Sequence, residues 1–447
     1  MLGLYKYLWK ERKQMQIIEN SKVKEKLYIE KLENGITIMV MPKENIQKKY
    51  AMIATHFGSM DNKFIAPGEK EITYIPDGVA HFLEHKMFEQ SNGTNSLDTL
   101  TALGVNANAY TTTNHTAYLF ECTDNFKPAL DELMDYVWHP YFTDQNVEKE
   151  KGIIGQEIKM YDDYPEWVVY MNAIKNMYKN SPINIDIAGS IESISKIDKE
   201  VLYKCYNTFY NPANMVMCFA GDFNPEELIK EVKENFKKIE KTNVTEVKRV
   251  VVEEPEEIVQ KEKEEKMEVS LPLFVIGIKD FKSEEKTSGK NVKEQIRKHI
   301  AIQILLNMLI GKSSKLYKKL YEEGLLMSEP YTEYEFSTNY AHIAITGQSK
   351  DPKKILEKLQ TEIQTMKETK INNEHFTRIK NMIYGSYIKE YDDVAEISRM
   401  FISDYMNGIN SFEYLEEFSS VTPEYSKQIL NEVFNQEKTV ISIISPK

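Results

Sequence analysis

The chain is poor in the features that mark several large protein classes. Its 447 residues include three cysteines, Cys122, Cys205 and Cys218, far apart and without a C-x-x-C pair. That excludes a disulfide scaffold and fits a reducing compartment. Cys218 lies in the apolar run Met215-Val216-Met217-Cys218-Phe219-Ala220 and reads as a small buried side chain rather than a nucleophile. Basic residues are outnumbered, 57 Lys and Arg against 69 Asp and Glu, for a net charge of −12. Nucleic acid is therefore not an expected partner, because such binding rests on a cationic surface. No uninterrupted apolar stretch reaches the length that crosses a bilayer. The opening Met1 to Arg12 has no apolar core followed by a small-residue cleavage site. Neither a membrane partner nor a signal peptide is expected, and the expected location is the cytoplasm. P-loop, nucleotide-fingerprint and Ser-His-Asp signatures are also missing.

What remains is an ordinary globular composition, 41% hydrophobic and 28% charged. The length accommodates roughly two or three domains. Lys26–Lys31 and Ile36–Val40 flank Asn34-Gly35 and predict a hairpin, followed by a strand from Ala51 to Phe57. A helix is expected from Val79 to Glu89, a strand at Tyr118–Cys122, and mostly helix from Pro128 to Lys179. Asp198 reads as an N-cap ahead of a helix and the strand Met215–Ala220. The end of the chain repeats that ending. Thr422-Pro423-Glu424 is a cap, first helical residue and acidic first turn, and the strand Thr439–Ile444 follows. The offset of about half the chain points to an internal duplication. Between the copies, 240–266 is rich in Lys and Glu and reads as a solvated linker. The expected division is 1–239, a charged linker 240–266, and 267–447.

The most informative passage is His81-Phe82-Leu83-Glu84-His85. On a helix, residues four apart share a face, so His81 and His85 can reach one metal ion and Glu84 projects beside them. Zinc is the expected ion, one per chain, since two imidazoles and a carboxylate leave a fourth position open for water. Glu84 is then the natural general base. The third ligand is open at this stage. Glu150 and Glu157 lie two helical turns apart and share a face, but alone such a pair is more often an exposed acidic stripe. His56, His115, His139, His299, His342 and His375 fall outside any ligand spacing.

The inverted motif, followed downstream by Glu150-Lys151-Gly152-Ile153-Ile154-Gly155-Gln156-Glu157, resembles the insulinase, pitrilysin and mitochondrial-processing-peptidase family. Tyr210-Asn211-Pro212 and Gly221-Asp222-Phe223 extend the likeness over most of the chain. The resemblance implies an α+β fold of two homologous α/β-sandwich halves, each a mixed, largely antiparallel sheet with helices on one face, forming a clamshell. It implies zinc endopeptidase activity on peptides, with Glu157 as third ligand and Glu150 as an acidic group that orients the ligands. Asn108 and Ala109, in Asn108-Ala109-Tyr110-Thr111, match the edge strand that the family offers to substrate. It also implies chains that pair, as a homodimer or with a paralogous chain. The chain departs from the family at Tyr321 and Met327, which stand near the positions where many members carry a substrate-binding Arg and Tyr. A partner supplying that pair is one explanation. A non-hydrolytic assembly or accessory subunit is the alternative function.

Overall fold

The computed structural model describes residues 15–239, 246–281, 292–337 and 340–447, so the opening Met1–Arg12 lies outside the described residues. The first part of the chain contributes β1 (Gln16–Asn20), β2 (Glu25–Lys31), β3 (Thr37–Pro42), β4 (Lys49–Thr55), β5 (Lys63–Ile65), β6 (Thr73–Tyr74), β7 (Asn106–Thr111), β8 (Thr116–Cys122) and β9 (Met215–Gly221). The second contributes β10 (Lys248–Arg249), β11 (Glu262–Met267), β12 (Leu273–Lys279), β13 (Tyr331–Ser337), β14 (Tyr340–Gln348) and β15 (Thr439–Pro446).

The two large sheets have the orders β1-β2-β3-β9-β4-β8-β7 and β11-β15-β12-β14-β13. Without the first two strands of the larger sheet, one order maps onto the other position by position. Each contains a single parallel pair at the matching place, β3 with β9 and β11 with β15, and is otherwise antiparallel. The duplication read from the capped helix and final strand therefore extends to five strands of each sheet. Asp198 accepts the Val201 N–H and Thr422 the Tyr425 N–H, so both copies start that last helix with the same device.

Each sheet buries one face under helices of its own half. Ile38, Val40, Ile53, Phe120 and Phe219 form the first core with Phe82 and Leu83, while Phe274, Ile276, Ile343 and Ile441 form the second with the helix Val292–Ile310. The other faces are covered reciprocally. The helix Pro165–Met177 from the first half lays Val169 and Ala173 on Val275, Ala344 and Ile444 of the second sheet. The helix Val394–Met406 from the second half lays Ile397, Phe401 and Ile402 on Met52, Ala54 and Cys218 of the first. The central strands are apolar on both faces for this reason, and β3, β4, β9 and β12 read as near-continuous hydrophobic runs.

The charged run expected to be a solvated linker is built into the fold over its described part. Lys248 and Arg249 pair with β5, and Glu262–Met267 pairs in parallel with β15. Glu254 and Lys279 form a fully buried ion pair at 2.7 Å, with side chains 1% and 0% exposed. An edge strand needs only one partner and one semi-buried face, so alternating Lys and Glu can fill it. Lys263 reaches Asn172 across that face. Residues 240–245 of that run lie outside the described residues.

Candidate metal centre and active site

The helix Val79–Lys86 begins at Gly78, whose φ of 93° suits glycine alone; a Cβ there would lie 2.4 Å from the carbonyl oxygen of Ala188. Val79, Phe82 and Leu83 sink into the first core. The helical period then turns His81 and His85 to the opposite side, their ring centroids 4.6 Å apart. The helix stops at Lys86, short of the expected Glu89, which instead bridges to Asn95.

The helix Asp144–Asp162, held at its start by a reciprocal Thr143–Asn146 capping box, brings up the two glutamates. Seven residues of helix span about 10.5 Å. An imidazole with a polar contact on either side occupies nearly that length, and His85 fills it. Its Nδ1 lies 3.1 Å from Glu150 Oε1 and its Nε2 lies 3.5 Å from Glu157 Oε2. His81 Nε2 lies 3.7 Å from Glu157 Oε1. Ligand atoms of His81, His85 and Glu157 all fall within 4.8 Å of one another, the one such grouping of His, Cys, Asp and Glu among the described residues. Separations of 3.5 and 3.7 Å are too long for hydrogen bonds. One reaches Glu157 Oε2 and the other Oε1, so the carboxylate faces both imidazoles. Two imidazoles and a carboxylate are a donor set that fits Zn²⁺.

Burial, reinforced by the neighbouring His85, pushes the His81 imidazole down to about 4, which leaves it neutral and able to bind a metal. Burial also acts to lower His85, but the hydrogen bond with Glu150 and the charges of Glu84, Glu150 and Glu157 outweigh it and raise that group. Glu84 is buried, and burial raises its carboxyl against the opposing pull of the Thr111 hydroxyl. Thr111 donates to Glu84 Oε2 at 2.6 Å.

Asn108 and Ala109 lie on β7, which among the described residues pairs only with β8 and forms one edge of the larger sheet. Asn108 Oδ1 accepts the Ala109 N–H at 2.9 Å. Because Thr111 belongs to this same strand, the edge runs directly past Glu84. Tyr321 and Met327 are 56% and 73% exposed, at and beyond the end of the helix Lys315–Glu322.

Two residues of the site escaped the sequence reading. Thr111 has no local signal, since only the sheet brings it to Glu84. Lys86 had one: a lysine on a helix otherwise set among Val79, Phe82, Leu83 and Met87 must be buried, and buried lysines need partners.

Comparison with known proteins shows the family and the fold. Two family models match the chain, Insulinase (Peptidase family M16) over residues 71–190 and Peptidase M16 inactive domain over residues 196–383. A Bacillus subtilis (strain 168) protein bearing the name Uncharacterized zinc protease YmfH is 38% identical over 430 residues, covering 96% of this chain and 99% of that protein. The crystal structure of an M16-like peptidase from Alicyclobacillus acidocaldarius matches with a TM-score of 0.90 at 32% identity, over 96% of this chain and 100% of the other. A protease from Helicobacter pylori shares the fold, with a TM-score of 0.79 at 16% identity over 97% of this chain and all of the other. Among the described residues no helix is long and apolar enough to cross a membrane. With both of its halves touched by these models and a relative aligned along nearly its whole length, the chain belongs to the insulinase family of peptidases, family M16.

Proposed function

We propose that the chain is a zinc-dependent endopeptidase that hydrolyses peptides or small unfolded protein segments in a closed chamber. The observation that carries this reading is the convergence of His81, His85 and Glu157 beside the buried carboxylate of Glu84. Zn²⁺ held by His81, His85 and Glu157 would supply the Lewis acid that polarises the scissile carbonyl. Glu84 takes the proton of the attacking water and passes it to the leaving amine. Glu150 accepts the Nδ1–H of His85, which leaves the Nε2 lone pair facing Glu157. The outer edge of β7, at Asn108 and Ala109, pairs with the backbone of an extended peptide with little regard to its sequence.

A peptide-mixture digest by the purified chain tests the reading directly. Cleavage is expected to stop on chelation and to return with added zinc; cleavage indifferent to chelator would sink it. The same digest bears on the partner. With Tyr321 and Met327 where Arg and Tyr are common in the family, we expect a paralogous chain to complete substrate binding. Full activity of the isolated monomer would defeat that expectation. The non-hydrolytic alternative is disfavoured by a complete donor set, because a subunit freed from catalysis has no need to retain all four groups.

Thr111 supplies a finer test. Replacing it with valine keeps the shape and removes the donor to Glu84. A hydrogen bond to a charged group contributes about 1.5–3 kcal/mol, so kcat should fall roughly 10-fold or more if that energy orients the base. Zinc content should stay unchanged. An undiminished kcat would show that Glu84 needs no such guide.

A further inference from the structure

Lys86 is 1% exposed, the residue immediately after His85, and nothing assigned so far to the metal set or the base requires it. Its ammonium group lies 3.2 Å from Glu150 Oε2 and also pairs with Glu89. The other oxygen of Glu150, Oε1, is the one engaged by His85 Nδ1. A single carboxylate is therefore gripped at both oxygens by consecutive residues of one helix. Successive helical side chains diverge by about 100°, so His85 and Lys86 can meet one acceptor only if it lies between their directions. Glu150, fixed by the second helix, occupies that place. An apolar side chain would pack at position 86 without needing partners, as Met87 does beside it. A buried ammonium group is retained only where its bonds are satisfied.

We infer that Lys86 is a positioning residue for the metal centre, acting through Glu150. It locks the carboxylate so that Glu150 Oε1 holds the His85 ring with Nε2 turned towards Glu157 and His81. Without Lys86, Glu150 keeps only the contact with His85 and can rotate about its terminal torsion, carrying the imidazole away from the shared ligand position. The inference rests on the proposed zinc site, but it concerns affinity for the metal rather than turnover.

The test is a zinc dissociation constant, measured by competition with a chromophoric chelator on the full chain. The variants are Lys86→Met, Lys86→Gln, Glu150→Gln and the double variant Lys86→Met with Glu150→Gln. Groups behind metal ligands commonly alter affinity by about 10–100-fold. Lys86→Met should weaken zinc binding by roughly 10-fold, the low end of that range, because it acts one link further out. Lys86→Gln can still donate to Oε2 and should recover part of the loss. In the Glu150→Gln background, Lys86→Met should cost little more, the non-additivity expected of groups that act in series. Melting curves separate this from loss of fold, and if Lys86→Met fails to fold, Lys86→Gln and Glu150→Gln carry the comparison. Wild-type affinity in both Lys86 variants, or losses that simply add, would overturn the inference and leave the zinc reading standing. A wild-type chain that takes up no zinc would bring down both.

Discussion

Replacing Glu84 with Gln should lower kcat by about 10²–10⁴-fold, the usual contribution of a general base, while zinc stays bound. The amide keeps the shape of the side chain and can still pair with the Thr111 hydroxyl, but it cannot accept the water proton. The metal should remain because the proposed ligands are His81, His85 and Glu157, with Glu84 beside them. Parallel measurement of peptide hydrolysis and bound zinc decides the matter. If zinc disappears along with activity, Glu84 is a ligand and the roles are wrongly divided. If activity persists, the proton goes elsewhere.

The second large effect concerns stability and lies far from the metal. Glu254 accepts Lys279 Nζ at 2.7 Å and the backbone N–H groups of Lys179, Asn180 and Ser181 at 3.0, 2.7 and 2.8 Å. It thus pins the charged run to the end of the helix Pro165–Met177 and to β12. Glu254→Ala leaves four donors without their acceptor, and the buried ammonium group keeps the Pro255 and Glu257 carbonyls and the Tyr178 ring. Breaking a buried pair from one side costs about 3–5 kcal/mol, read as a lower denaturant midpoint. Lys279→Met should be milder, because Glu254 then keeps three backbone donors. The reverse order of the two variants would refute this account.

The same pair predicts an acid dependence. Burial works to raise Glu254, but Lys279 and the backbone donors overcome it and hold the carboxyl below its ordinary 4.5. Its contribution to stability is complete above that value and is lost as pH falls through the lower folded one. Lys279 is pushed below its usual value chiefly by its own burial, so the pair is costly to break without being a large net source of stability.

The motif helix, the caps at Asp198 and Thr422 and the half-chain repeat were legible because each depends on neighbours within a few residues. Helical period places His81 and His85 together wherever the helix goes, and an Asx or Thr cap acts on the next turn. The resemblance drawn from those residues also pointed to Glu157. Spacing alone could not separate Glu157 from Glu150, because it puts both on one face and is silent on which end of an imidazole each will meet.

The chain therefore determined by itself the chemistry of the centre: two imidazoles, a nearby carboxylate and a pair of candidate acids. Tertiary structure decided how the acids divide around His85, why a lysine is buried at position 86, and which threonine meets the base. It also turned a Lys- and Glu-rich stretch into an edge strand and laid a helix of each half on the sheet of the other. The physical reason is range. Backbone period and capping act over a few residues, whereas these contacts exist only once two apolar cores have closed and set distant helices and strands side by side.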